Sequence, residues 1–280
     1  MSIDYLIIGH VTQDLTPTGA VLGGTAYYST VTAQRLGYQV ALVTRAPHSL
    51  DLQDALPDVQ LHVLPCKHAT TFENRYRGNA REQFVRHVAA PITWNDVPDA
   101  WRNAPIVHLA PVARDVDLSL VTCFPGSLVC LTPQGWLREW DRGGRVRYAP
   151  LASPRRVLRP VDVMVFSAED VDQEPKAMRR LIDSVPIAVV TQAAEGAVVY
   201  TQGSSRALPA RPISVVDPTG AGDVFAAAYF VRLHETGDPY EAAVFANVVA
   251  SFSLESAGSA SIPTRAQVDA WLGAQNVSRS

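Results

Sequence analysis

Asp217-Pro-Thr-Gly-Ala-Gly-Asp223 places a carboxylate on each side of a glycine-rich bend. A β-branched run, Ile213 to Val216, precedes it, and an apolar helical stretch begins at Val224. The pattern predicts a strand-to-helix corner. Such corners bind anions, because glycines let backbone N–H groups approach a ligand and the helix N-terminus adds positive potential. A phosphate held there lies beside Asp223, a candidate base. Phosphoryl transfer asks mainly for positioning and charge stabilisation of this kind. Short glycine motifs also arise by chance, and Asp, Thr and Gly are common at helix starts as caps. Two acids at fixed spacing, with a strand run before and a helical run after, favour chemistry over capping.

Other residues could complete such a site. Asp14 lies beyond the first apolar run, where open α/β sheets bind ligands, and its carboxylate can accept two hydroxyl hydrogen bonds. Alone it reads as a loop residue. Gly23-Gly24 nearby opens the next helical stretch, either to let a ligand touch backbone or as a plain turn. Gln134-Gly-Trp-Leu-Arg138 follows another strand run, and Gln134 and Arg138 offer donors to hydroxyls or phosphate oxygens. Trp136 and Trp140, four apart, read as core. Ser167-Ala-Glu-Asp170 can hold the water shell of Mg²⁺ or simply cap a helix, and capping is the simpler reading. The turn from Thr191 to Gly196 follows a strand end and could touch a nucleotide phosphate.

The elements that must position these groups alternate. Strand runs are Tyr5–Gly9, Val40–Thr44, Ile106–Leu109, Leu128–Leu131, Val161–Phe166, Ile187–Thr191 and Ala197–Thr201. Helices fit Thr25–Leu36, Pro175–Ser184, Gly220–Leu233, Tyr240–Leu254 and Thr264–Leu272. In the first helix Ala26, Ser29, Thr30 and Ala33 make a small-residue face. Uninterrupted apolar strands in a β-α-β rhythm predict a doubly wound, mostly parallel α/β sheet. One region breaks the rhythm. Gln60–Leu64, Ala69–Tyr76 and Glu82–His87 read as strands, with Arg77-Gly-Asn-Ala-Arg81 a hairpin connection. Phe72, Asn74 and Tyr76 share one face of the middle strand. This small antiparallel sheet, at 60–90 with a contribution from 10–22, is either a lid over a ligand site or an edge extension of the main sheet. An apolar lid face would also pair two copies into a homodimer.

The 280 residues suit a single domain spanning 1–280, with 47% hydrophobic and 18% charged residues. A net charge of −3 disfavours nucleic acid as the main partner. No apolar run reaches the ~18 residues of a membrane helix. Three cysteines without CxxC spacing and an N-terminus that enters a strand directly fit a reducing cytoplasm. No GxGxxG follows the first strand, which disfavours a dinucleotide-dependent dehydrogenase.

Val216-Asp-Pro-Thr-Gly-Ala-Gly-Asp223 resembles the C-terminal signature of the ribokinase-like (PfkB) carbohydrate kinases. Asp14, Gly23-Gly24, the lid strands and the Thr191–Gly196 turn fall in that family's order. Gly23-Gly-Thr-Ala-Tyr-Tyr-Ser29, Pro133-Gln-Gly-Trp-Leu-Arg138 and the Val-Asp-Pro-Thr form of the signature look most like the myo-inositol kinase branch. The resemblance implies an ATP- and Mg²⁺-dependent transfer of the γ-phosphoryl group to a hydroxyl of a sugar or cyclic polyol, with myo-inositol first in line. It implies Asp223 as base and the amides of Gly220, Ala221 and Gly222 as an anion hole. Asp14, Gly23, Gly24, Thr25, Asn74, Gln134 and Arg138 would line the acceptor pocket. Thr191, Gly196, Asn247 and Ser251 would lie along the nucleotide. Asp170 would sit near Mg²⁺ through water, and Asp217 and Thr219 beside a monovalent cation such as K⁺. A nucleoside kinase of the same family, or a catalytically quiet sugar- or nucleotide-binding regulator, are the alternatives.

The chain also departs from the family pattern. Tyr28 replaces the usual Asn of the first glycine motif, and Ala46-Pro-His-Ser-Leu50 stands where a glycine-rich acidic segment is expected. The Asn-x-x-Glu metal motif reads Ser167-x-x-Asp170, and Ala193 replaces a glycine. These changes bear on the acceptor and the metal more than on the chemistry. An acid at a helix N-terminus is stabilised as the anion, so Asp223 is expected to have a lowered pKa.

Overall fold

The computed structural model describes residues 2–77, 80–256 and 258–277. The N-terminal half runs β1 (Tyr5–Ile8), β2 (Thr12–Thr16), β3 (Gly19–Gly23), α1 (Gly24–Arg35), β4 (Val40–Ala46), α2 (Leu52–Ala55), β5 (Gln60–Pro65), β6 (Thr71–Arg77), β7 (Ala80–His87), β8 (Ile106–Leu109) and β9 (Leu128–Leu131). It continues through β10 (Arg138–Trp140), β11 (Val146–Tyr148), α3 (Pro154–Val157), β12 (Val163–Ser167), α4 (Pro175–Ile182), β13 (Ile187–Thr191), β14 (Ala197–Thr201) and β15 (Ser204–Leu208). Three helices close the chain: α5 (Ala221–Thr236), α6 (Pro239–Ser253) and α7 (Arg265–Val277).

The central sheet has the order β15-β14-β13-β12-β9-β8-β1-β4-β5. Every pairing from β13 to β5 is parallel, while β14 and β15 add on antiparallel. The apolar runs are continuous because both faces are covered. In β1, Tyr5 and Ile7 enter a core shared with α1, α5 and α6, whereas Leu6 and Ile8 enter the opposite core, shared with α4. Ala26, Ser29, Thr30 and Ala33 of α1 are all buried, as their small-residue face predicts. Helix α5 is buried from Val224 through Val231, the pattern of a helix enclosed on all sides, and it packs between α1 and α6. Asp238 caps α6, accepting from the amides of Tyr240 and Glu241, with Pro239 in the first turn.

A four-stranded sheet, ordered β3-β2-β6-β7, stands apart from the central one. Phe84 bridges it to Arg145 beside the β10–β11 hairpin, which the sequence pattern did not reveal. Two expectations are corrected here. Gln60–Pro65 pairs parallel with β4 at the edge of the central sheet and is no part of the small sheet. Its alternation is the same in either sheet, but the connection after β4, which includes α2, is long enough to cross back to the start of β4, as a parallel pairing needs. Ile213–Val216 is not a strand, and Val215 and Val216 are 55% and 66% exposed. Pro209 and Pro212 lack the N–H a ladder needs, so pairing stops at Leu208 and the run instead docks the Val216 amide on the Leu254 carbonyl at 2.8 Å. The signature therefore sits at a loop-to-helix corner. The Arg77–Arg81 connection lies partly outside the described residues.

Candidate active site

Gly220 is the N-cap of α5, at φ 77° and ψ −3°. Only glycine adopts this left-handed conformation routinely. A Cβ at Gly220 would lie 2.6 Å from three ring carbons of Tyr28, so the glycine rests on the face of a buried aromatic ring. Asp217 folds the preceding turn. Its Oδ1 accepts from the Thr219 amide at 2.9 Å and its Oδ2 from the Gly258 amide at 3.4 Å. Burial works against the Asp217 anion, but these donors and the Thr219 hydroxyl prevail and hold its pKa below the ordinary value. The Ala221 amide bends back to the Pro218 carbonyl at 3.3 Å, so the expected three-amide hole is reduced. The Gly220 and Gly222 amides make no hydrogen bond among the described residues, and a Cβ at Gly222 would meet only open space. Unpaired donors at a helix N-terminus, with open space beside Gly222, are what an anion site requires.

Asp223 occupies the first turn of α5. Its Oδ1 accepts from the Thr25 hydroxyl at 2.7 Å and faces the Gln134 amide nitrogen at 3.4 Å. The Ser29 hydroxyl donates to its backbone carbonyl at 3.4 Å. Although part of the side chain still reaches solvent, its pKa is pushed up to about 6. Burial is the main cause, with Asp170 and Asp14 raising it further and the Thr25 hydroxyl and Arg138 opposing. The expected lowering is thus overturned. A helix terminus contributes a fraction of a charge, and desolvation beside two other carboxylates outweighs it. An acid titrating near 6 is ionised at neutral pH, yet more basic than an ordinary aspartate.

The glycine pair before α1 has a steric role. A Cβ at Gly23 would lie 2.4 Å from the Asp14 carboxylate, and one at Gly24 would lie 2.8 Å from the Thr12 methyl. The glycines let β2 approach the start of α1, which brings Asp14 to the site from the small sheet. Thr25, the next residue, is fully buried. Asn74, on β6, accepts from Gln83 of β7 at 3.2 Å. Arg138 donates to Gln134 Oε1 at 2.7 Å and to the Val112 carbonyl at 3.1 Å, and its guanidinium lies 5.9 Å from the Phe72 ring centre. Trp136 is buried, and its indole N–H donates to Val116.

The loop beneath Arg138 is held by a buried network that the sequence did not disclose. Asp115 Oδ1 accepts from the Val112 and Ala113 amides, each at 2.7 Å. Its Oδ2 faces His10 Nδ1 at 3.4 Å, and that nitrogen also meets the Thr70 hydroxyl at 2.8 Å. Burial lowers the His10 pKa against the pull of Asp115. Nothing in local spacing links His10 to Asp115, because the fold brings them together across 105 residues.

The other candidates separate into two groups. Asp170 Oδ2 accepts from the Ser167 amide at 2.9 Å in a capping box, the simpler of the two sequence readings, yet its charge still reaches Asp223. Gly196 and Asn247 converge on the stretch after β15. A Cβ at Gly196 would lie 2.2 Å from the Leu208 carbonyl, and Asn247 Nδ2 donates to the Leu208 and Pro209 carbonyls at 3.1 and 3.2 Å. Ser251 is buried and donates to the Val248 carbonyl. Thr191, at the end of β13, donates to the Phe166 carbonyl at 3.4 Å. Asn247 and Ser251 are thus engaged in holding the fold. Among the described residues no three His, Cys, Asp or Glu side chains are grouped to hold a metal ion, and no helix is long and apolar enough to cross a membrane.

Residues 161–265 match the pfkB family of carbohydrate kinases. The chain is 26% identical over 267 residues to a cytidine kinase of Thermococcus kodakarensis, covering 86% of this chain and 92% of that one. It is 26% identical over 287 residues to an inositol 3-kinase of Oryza sativa, covering 94% and 70%. Among solved structures, a pyrophosphate-dependent myo-inositol-1 kinase converted into a myo-inositol-3 kinase superimposes with a TM-score of 0.81 at 21% identity, over 97% of this chain and 99% of that one. A ribokinase of Arabidopsis thaliana complexed with ribose and ATP superimposes at 0.76 and 18% identity, with the same coverages. The chain thus has the fold of the ribokinases, and the stretch that carries the Asp217–Asp223 corner, residues 161–265, matches the pfkB family of carbohydrate kinases.

Proposed function

We propose that this kinase transfers the γ-phosphoryl group of ATP to a hydroxyl of an uncharged polyol, sugar or nucleoside, with Asp223 as the base. The observation that carries the reading is the pairing of Asp223, titrating near 6, with the unbonded amides of Gly220 and Gly222 in one turn of α5. An acceptor hydroxyl beside Asp223 gives up its proton to the carboxylate as its oxygen meets phosphorus. The amides receive the charge on the phosphoryl oxygens. In a loose transition state the proton leaves late, so alignment and charge stabilisation contribute more than basicity. Mg²⁺ bound with the donor neutralises phosphate charge. It commonly keeps several waters and one or two carboxylates, and Asp170, whose charge reaches Asp223, suits a water-mediated contact. Asp217 and Thr219 form the turn at which K⁺ would act, and replacing K⁺ with Na⁺ in the assay tests that.

Charge bears on the acceptor. Asp14, Asp170 and Asp223 outweigh Arg138 around the base, which favours an uncharged acceptor over a sugar phosphate. myo-Inositol fits this and accords with the likeness to inositol kinases. A nucleoside is the second reading, favoured by the near full-length match to a cytidine kinase. Pyrophosphate is a second donor to test, since a pyrophosphate-dependent kinase shares the fold. Asp14 reaches the base from the small sheet, which serves as a lid in this reading, with Asn74 on β6 as an acceptor contact. The face of that sheet opposite Phe72 mixes the exposed Leu15 and the half-buried Phe84 with Glu73, whose carboxylate bonds Arg75 and Arg86. A homodimer through it would pair apolar and charged groups together, and light scattering tests it.

The deciding experiment supplies ATP or pyrophosphate with Mg²⁺ and screens myo-inositol, cytidine, ribose and fructose for ADP or orthophosphate release, with Asp223→Asn as control. Acceptor-dependent release that vanishes in the control supports the proposal. Wild-type turnover in Asp223→Asn overturns the role of Asp223.

A further inference from the structure

Four side chains from three separate segments form a directional chain of donors that ends on the base. Arg138 donates to Gln134 Oε1 at 2.7 Å, which turns the Gln134 amide so that its nitrogen faces Thr25. Gln134 Nε2 donates to Thr25 Oγ1, and Thr25 Oγ1 donates to Asp223 Oδ1 at 2.7 Å. A hydroxyl has one proton. Because Gln134 occupies a lone pair of Thr25, that proton is aimed at the carboxylate. Along this chain each step donates toward Asp223, and a guanidinium that is always charged stands at the head, its other nitrogen held by the Val112 carbonyl. The guanidinium also lies against Phe72 of the small sheet.

We infer that Thr25 and Gln134 are positioning residues that engage Oδ1 of Asp223, leave Oδ2 as the proton acceptor, and tie the base through Arg138 to the small sheet. Gln134 and Thr25 thereby act on the base and not as wall of the acceptor pocket. The inference rests on Asp223 being the base. The charged groups facing that carboxylate are Arg138, Asp170 from the turn after β12, and Asp14 from β2, while α1 contributes only the uncharged hydroxyls of Thr25, Ser29 and Tyr28.

The test uses Thr25→Val, which keeps shape and removes the donor, Thr25→Ser, which restores it, and Gln134→Glu, which turns a donor into an acceptor. Two readouts are taken: the pH profile of kcat/KM for the acceptor, and the carboxyl ¹³C titration of Asp223. Wild type is expected to show an acid limb near 6, where Asp223 ionises. Thr25→Val moves the limb and the ¹³C midpoint upward and lowers kcat by about tenfold to a hundredfold, the scale of losing one aligned bond to a charged group. Gln134→Glu moves both further up, because it adds a third carboxylate beside Asp14 and Asp170. Thr25→Ser returns limb, midpoint and kcat toward wild type. A merely structural threonine would lower melting temperature while leaving limb and midpoint in place, and that result overturns the inference. The two levels separate cleanly. An inactive Asp223→Asn with an unmoved limb in Thr25→Val defeats the relay alone, whereas an active Asp223→Asn defeats the base assignment beneath it.

Discussion

Gly220→Ala is the sharpest perturbation of the Asp217–Asp223 corner. Two costs add. An alanine must adopt the φ of 77° that glycine holds, at about 1–2 kcal/mol. Its Cβ must also sit 2.6 Å from three carbons of the Tyr28 ring, about 1 Å inside an ordinary carbon–carbon contact. Tyr28 is 5% exposed and has little room to swing away, so overpacking adds about 1–3 kcal/mol. The total is about 2–5 kcal/mol. Unfolding entropy near 2 cal/mol/K per residue over 280 residues converts this to a Tm loss of about 4–9 °C. Thermal denaturation of a double-mutant cycle isolates the clash. With Tyr28→Ala the ring is gone, so Gly220→Ala should cost only its backbone strain, a coupling of about 1–3 kcal/mol. Equal losses from Gly220→Ala in the two backgrounds would refute the stacking argument. An unchanged Tm in the wild-type background would refute the strain argument as well.

Three further outcomes are expected. Asp223→Asn should lose most turnover while raising Tm. An aspartate whose folded pKa is raised to about 6 destabilises the fold once ionised, so the gain is full above pH ~6 and vanishes below the unfolded value near 4; a Tm difference independent of pH would contradict this. Gly222→Val should lower turnover with little effect on Tm, because its side chain enters open space beside the amides; an unchanged rate would remove the anion site from this turn. Asn247→Ala should lower stability by about 1–3 kcal/mol, because the Leu208 and Pro209 carbonyls lose their donor; a stability equal to wild type in urea titration would show the bonds to be dispensable.

Much of the scaffold was legible because strands buried on both faces must be continuously apolar. That pattern located β1, β4, β8, β9, β12, β13 and β14 to within a few residues. The Asp217–Asp223 run pointed to phosphate chemistry by a different signal: two acids at fixed spacing around a glycine bend, just before a helical run. Legibility failed where a partner decides the outcome. Gln60–Pro65 reads as a strand, but alternation does not say which sheet it joins, and Ile213–Val216 has strand composition with no strand beside it to pair with.

By itself, then, the chain determined an α/β kinase scaffold and the glycine-rich turn proposed to meet phosphate, since both follow from side chains a few positions apart. Tertiary structure alone decided how the Asp223 carboxyl behaves. Thr25, Gln134 and Asp223 lie up to 198 residues apart, and desolvation beside Asp170 and Asp14 arises only when three segments close around one carboxylate. Local spacing predicted a lowered pKa from the helix terminus. Burial, which is a property of the assembled fold, reversed the sign.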